Sequence, residues 1–155
     1  MSLLLAALSA LTLQAAPDPA QAEIGAVLDR LNATSTAADG AAYFALFTPE
    51  ARFIGTDPSE HWSLDEFRAY ATPHFARGNG WSYPATERTI TVAPIDCRCI
   101  AWFEEKLISE SYGQTRGSGV LRLTDDGWKI EQYVLSFVVP NARSAAVVEA
   151  IRGAE

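Results

Sequence analysis

Apolar residues recur along this chain at two different periods, and the change of period divides it. Between Ala22 and Thr34, residues Ile24, Val27, Leu28 and Leu31 fall three and four apart, with Glu23, Asp29 and Arg30 on the other side. That spacing predicts an amphipathic helix. Asp39 can cap a short second helix through Phe47, with Tyr43, Phe44, Leu46 and Phe47 as its buried side. Thr48-Pro49-Glu50 ends it, because residues before proline avoid helical backbone. Ala51 to Gly55 reads as a strand centred on Phe53 and Ile54, and Gly55 to Glu60 as a loop. Ser63-Leu64-Asp65-Glu66 is a capping box that starts a third helix. Its apolar stripe is Leu64, Phe67, Tyr70, Ala71 and Phe75, and Gly78-Asn79-Gly80 stops it.

From Trp81 the pattern becomes that of strands. Trp81 to Ala93, Cys99 to Ser109, Thr115 to Thr124 and Trp128 to Val139 read as four strands. The turns between them are Pro94 to Arg98, Tyr112 to Gln114 and Asp125-Asp126-Gly127. In the last strand Trp128 and Ile130 occupy one parity, and Tyr133, Leu135 and Phe137 the other. A switch of parity predicts a bulge near Gln132, and a bulge curls a sheet. Ala142 to Arg152 is a final helix with Ala145, Val148 and Ile151 on one side. The expected fold class is α+β: a curved antiparallel sheet with helices packed on its concave face, a cone-shaped half-barrel with a cavity beneath the helices.

The chain has 155 residues, enough for one domain, and 48% hydrophobic residues against 20% charged exclude a largely disordered chain. Four Trp, five Tyr and seven Phe make an aromatic-rich interior. A net charge of -7 repels phosphate backbones, so nucleic acid is not an expected partner. Leu3 to Leu13 is apolar but too short to span a bilayer, and Ala20-Gln21-Ala22 offers a small-x-small cleavage site. The expectation is a signal peptide over 1–22, a domain over 23–141 and a C-terminal helix over 142–155. The protein would then be secreted or periplasmic. The competing reading is an apolar helical extension on a cytoplasmic protein, since no Lys or Arg precedes Arg30. Cys97 and Cys99 point the same way if they sit on a strand and bridge only in a tight turn; two free thiols are the default reading.

Three segments carry a family likeness: Phe53-Ile54-Gly55-Thr56-Asp57 followed by Glu60 and Trp62; Tyr112-Gly113-Gln114-Thr115-Arg116-Gly117-Ser118-Gly119-Val120-Leu121; and Gly127-Trp128-Lys129-Ile130 ending in Ser136 and Pro140-Asn141. With the element order, these resemble the SnoaL-like branch of the nuclear transport factor 2-like superfamily, over roughly Ala22 to Asn141. The resemblance implies the cone fold and, by analogy, a homodimer. It leaves the activity open, because that fold hosts isomerases, dehydratases, cyclases and binding modules. Ketosteroid isomerase, an enzyme of the superfamily, resembles the chain in register through the first strand. Its catalytic base then falls at Gly55, its oxyanion tyrosine at Leu31 and its protonated acid near Gly119, so all three roles are missing here. Asp57 is the one displaced substitute.

The candidate catalytic residues are Asp57, His61 and Glu104. Asp57, Glu60 and His61 cluster on a loop at a strand end, where a histidine beside a carboxylate can act as a base. The alternative is an Asx turn at Asp57-Pro58 with solvated neighbours. Glu104 lies in phase with Trp102: on the cavity side it is a desolvated acid, on the outer side a cross-strand partner for Lys or Arg. Candidate ligand contacts are Tyr43, Trp62, His74, Trp81, Trp102, Arg116 and Tyr133, each of which could instead be ordinary core or surface. Arg116-Gly117-Ser118-Gly119 could hold a ligand carboxylate or simply let the sheet curve. No metal or cofactor motif is present, so neither is expected. The expected ligand is a small apolar molecule, with no stable membrane span.

Overall fold

The computed structural model describes residues 18–153. The apolar run Leu3 to Leu13 lies outside them. Helix α1 (Pro19–Thr36) starts with Asp18, whose carboxylate accepts from the Ala20 N–H, and buries Ile24, Val27, Leu28 and Leu31. It therefore begins earlier than the periodicity places it. Ala20-Gln21-Ala22 sits in its first turn, where the Gln21 side chain donates to the Ile90 carbonyl at 2.8 Å. Helix α2 (Gly40–Phe44) is capped by Asp39 and buries Tyr43 and Phe44. Helix α3 (Leu64–Phe75) carries the expected capping box of Ser63 and Glu66. No helix among the described residues is long and apolar enough to cross a membrane.

The strands are β1 (Phe47–Ile54), β2 (His61–Ser63), β3 (Ala85–Val92), β4 (Ile100–Ser109), β5 (Gly113–Thr124) and β6 (Gly127–Phe137). They form one curved, unclosed sheet in the order β2-β1-β6-β5-β4-β3. Two features depart from the sequence reading. β1 and β6 run parallel while the other pairs are antiparallel, and β2 is an additional three-residue strand hairpinned onto β1. β1 also starts four residues early and runs through Pro49, at a register irregularity between Phe47 and Arg52 where no ladder donor is needed.

The bulge falls where the parity switch places it. Val120 faces Gln132, but the next residue, Leu121, faces Ile130, so Glu131 is the extra residue. Its carboxylate accepts from Thr48 Oγ1 at 3.0 Å and Arg122 Nε at 2.9 Å, which ties the bulge to β1 and β5. Helices α1 to α3 cover the inner face. There Phe53 and Phe67 stack at 3.8 Å, and Tyr43 meets Phe44, Phe47, Phe75 and Trp81 at ring distances of 5.2 to 5.9 Å. Helix α4 (Ser144–Arg152) follows a 3-10 turn and buries none of its residues.

The two cysteines are bonded, correcting the two-thiol reading. They lie in the β3–β4 turn rather than on a strand, and Arg98 between them takes a positive φ of 46°, which brings the Cα atoms to 5.1 Å. Arg98 also pairs with Asp18, joining this turn to the start of α1.

Candidate functional site

β4 alternates strictly: Ala101, Phe103, Glu105, Leu107 and Ser109 are buried, and the residues between them are exposed or half-buried. A carboxylate thus sits on the core side of the sheet, only 5% exposed. The antiparallel register sets Arg88 of β3 opposite Glu105, and Arg88 Nε donates to Glu105 Oε1 at 2.6 Å. The remaining guanidinium nitrogens reach α1, donating to the Gly25 carbonyl at 3.1 Å and to Asp29 Oδ1 at 2.8 Å. Arg88 is consequently shared between helix and sheet. Burial raises the Glu105 pKa, and it outweighs the opposing pull of Arg88.

Tyr133 projects inward just beyond the bulge and is also buried. Gly117 on β5 makes room for it: a Cβ there would stand 2.6 Å from the Tyr133 hydroxyl. Burial, followed by the nearby Glu105, raises this hydroxyl well above the ordinary tyrosine value, so it remains a donor.

Glu105, Arg88, Asp29, Tyr133 and Tyr43 share the wall of a cavity of about 290 Å³ between α1 and the sheet. Leu28, Leu31 and Leu135 complete its apolar side. A second cavity of about 450 Å³ opens toward the β1–β2 and β4–β5 turns. Phe53, Trp81, Tyr83 and Leu135 line both, so the two form adjoining parts of one hollow. The aromatics do not fill the interior.

The sequence candidates divide between this hollow and the surface. Tyr43 and Tyr133 line the first cavity, Trp62 the second, and Trp81 both. Trp102, Glu104 and Arg116 lie on the outer face, with Trp102 47% exposed, so the cavity-side alternative for Glu104 is overturned. Both faces of β4 carry large apolar residues, and Trp102 sets the wrong phase. Glu104 and Arg116 line a separate small pocket with Glu87 and Lys106.

Asp57 is exposed and makes the turn, its carboxylate accepting the Ser59 N–H at 2.8 Å and hydroxyl at 2.5 Å; these bonds lower its pKa. His61 is exposed on β2. His74 is half-buried against Tyr70, at a ring distance of 5.2 Å, and lines neither cavity. The residues the sequence reading missed are Glu105, Arg88 and Asp29. The available signal was phase: Glu105 is in step with Phe103 and Leu107, and Arg88 with Ile90 and Val92.

The fold is shared with solved structures of low identity. A Novosphingobium aromaticivorans protein provisionally described as an aromatic ring hydroxylase is 19% identical, with a TM-score of 0.67 over 81% of this chain and 93% of that one. A Streptomyces avermitilis protein, provisionally described as a dehydratase from the nuclear transport factor 2-like family, is 17% identical, with a TM-score of 0.65 over 81% of this chain and 100% of that one. A nuclear transport factor 2-like protein of unknown function from Pseudomonas putida is 14% identical, with a TM-score of 0.63 over 76% and 85%. No curated protein matches the sequence. Residues 24–140, from α1 to the end of the sheet, match one domain family along their whole length, and by that match the chain belongs to the SnoaL-like domain family.

Proposed function

We propose that the hollow binds a small, largely apolar molecule and that Glu105 moves a proton on it without a cofactor. The observation that carries this reading is the buried Glu105, held through Oε1 by Arg88 in the wall of a cavity that Tyr133 also lines. An acid desolvated in this way holds its proton to higher pH than a solvated one, which suits proton transfer near neutrality. Glu105 Oε2 takes a proton from a carbon beside a substrate carbonyl, and Tyr133 donates to the carbonyl oxygen as charge develops there. Returning that proton to another carbon gives isomerisation; delivering it to a leaving hydroxyl gives dehydration with release of water. The dehydratase description of the Streptomyces avermitilis relative names the second of these classes. The Cys97–Cys99 bond supports export to an oxidising compartment.

The test is a turnover screen of hydroxylated and unsaturated carbonyl compounds with wild type and Glu105→Gln, each also titrated with the hit compound. Glu105→Gln keeps the side-chain shape and its acceptor for Arg88. Its expected effect is a kcat loss of at least about 100-fold with binding retained. Turnover within threefold of wild type would remove Glu105 from the chemistry. A second reading, a dimeric binding module, is favoured by the outer sheet face, where exposed Trp102 lies in register with half-buried Val120.

A further inference from the structure

The second cavity has a composition that the proton-transfer reading does not use. Its rim carries Trp62, Tyr70, Tyr83 and Tyr112. Trp62 and Tyr70 stack at 4.8 Å, forming one continuous aromatic wall. Tyr70 and Tyr112 are about half exposed, so part of each ring stays at the opening; Tyr70 also packs against His74 at a ring distance of 5.2 Å, and Tyr112 meets Phe137 edge-on at 5.1 Å. The charged residues lining this cavity among the described residues are Glu60 and Glu110, both acidic. The nearest cation of the adjoining cavity, Arg88, is already shared among Gly25, Asp29 and Glu105. Burial above all, with Glu60 among the nearby charges, raises the Tyr83 hydroxyl above its ordinary value.

An apolar box with no charge would admit neutral guests without preference. This one joins π-faces, which attract cations through the ring quadrupole, to carboxylates that complete the match. Among the described residues that line it, an anionic guest would meet two carboxylates and no Lys or Arg. From this arrangement we infer that the ligand is an organic cation, with its ammonium group held at the aromatic rim by Glu60 and Glu110 and its apolar part directed inward toward Tyr133. The inference rests on the binding reading above and adds the charge class of the ligand.

Three para-substituted phenols of similar shape test it: 4-hydroxyphenyltrimethylammonium, 4-tert-butylphenol and 4-hydroxybenzenesulfonate. Each is titrated into the full chain by calorimetry and by NMR. The cation should bind at least about tenfold more tightly than its uncharged isostere, and the sulfonate should not bind. The double variant Glu60→Gln/Glu110→Gln should bring that ratio close to one while leaving 4-tert-butylphenol affinity within twofold, which also shows that the variant is folded. Tyr70→Leu/Tyr112→Leu should weaken the cation several-fold more than the neutral phenol. Equal or tighter binding of 4-tert-butylphenol, or a ratio unmoved by the double Gln variant, overturns the cation inference and leaves the binding reading intact. Failure of all three probes to bind overturns both.

Discussion

Gly117→Ala is the sharpest probe of how the site is built. The new Cβ would lie 2.6 Å from the Tyr133 hydroxyl, 3.2 Å from its Cζ and 3.0 Å from Leu107 Cδ1. The ring cannot swing aside easily, because Phe53 is stacked against it at 5.7 Å and Phe103 lies at 5.8 Å. Overpacking of this kind costs about 1–3 kcal/mol. Replacing glycine at an ordinary φ returns about 0.4–1 kcal/mol by restricting the unfolded chain. The net expectation is a loss of roughly 1–2 kcal/mol. Tyr133→Phe removes the closest atom and leaves contacts of 3.0 and 3.2 Å, which small shifts relieve. Tyr133→Phe alone removes one hydroxyl and should cost no more than about 1.5 kcal/mol. The double variant should then recover at least about 1 kcal/mol of the loss, a coupling that only touching residues show. Urea unfolding followed by circular dichroism, at constant m-value, measures all four corners. Additive effects within about 0.3 kcal/mol would mean that the glycine does not accommodate the tyrosine.

Two further outcomes follow from the same geometry. Native Glu105 holds its proton to higher pH than a glutamate of the ordinary value 4.5, so wild-type stability should decline relative to Glu105→Gln as pH rises above that value and level off once the buried acid has ionised. A pH-independent difference between the two, read from denaturant titrations across the acid-to-neutral range, would contradict the buried-acid assignment. If the outer face pairs two copies, sedimentation velocity should show a wild-type dimer and a Trp102→Lys monomer of unchanged circular dichroism; a monomeric wild type would dismiss that interface.

The elements that could be read from the sequence were those with local causes. Helix α3 has its capping box, the β5–β6 turn has Asp125-Asp126-Gly127, and the bulge announces itself by a parity switch within a single strand. β2 could not be read, because three residues carry no period and its existence depends on pairing with β1. The site was hidden for a related reason. A strand reveals its core face when one parity is apolar and the other polar, but β4 has Ile100, Trp102 and Ile108 on its outer face and Ala101, Phe103 and Leu107 inside. Phase therefore had to come from its neighbours. Gly117, Gly119 and Leu121 of β5 and Ile90 and Val92 of β3 all sit opposite the inner set, and that register selects Glu105 over Glu104. The disulfide was hidden because it depends on positive φ at an arginine, which residue identity does not announce.

The arrangement of acids explains how the hollow keeps a carboxylate where the resemblance to ketosteroid isomerase leaves none. The strand position that would hold the base is Gly55, and the Glu60 carboxylate occupies the space its side chain would need. The exchange is possible because the hairpin fixes both residues: the Gly55 N–H donates to the Glu60 carbonyl at 2.8 Å, and the Glu60 carboxylate accepts the Asp57 N–H at 3.2 Å. Any larger residue at 55 would expel Glu60 from the wall of the second cavity. A carboxylate therefore returns to the same region from the far side of a turn, while Glu105 rises from the floor of the sheet into the first cavity. The two acids differ in what surrounds them. Glu105 is buried beside a guanidinium, the setting for a group that exchanges protons. Glu60 is half-buried, anchored by backbone and bordered by aromatic faces, the setting for a fixed counter-charge. In the proposed reading, proton transfer and recognition are therefore divided between Glu105 on β4 and Glu60 in the loop between β1 and β2.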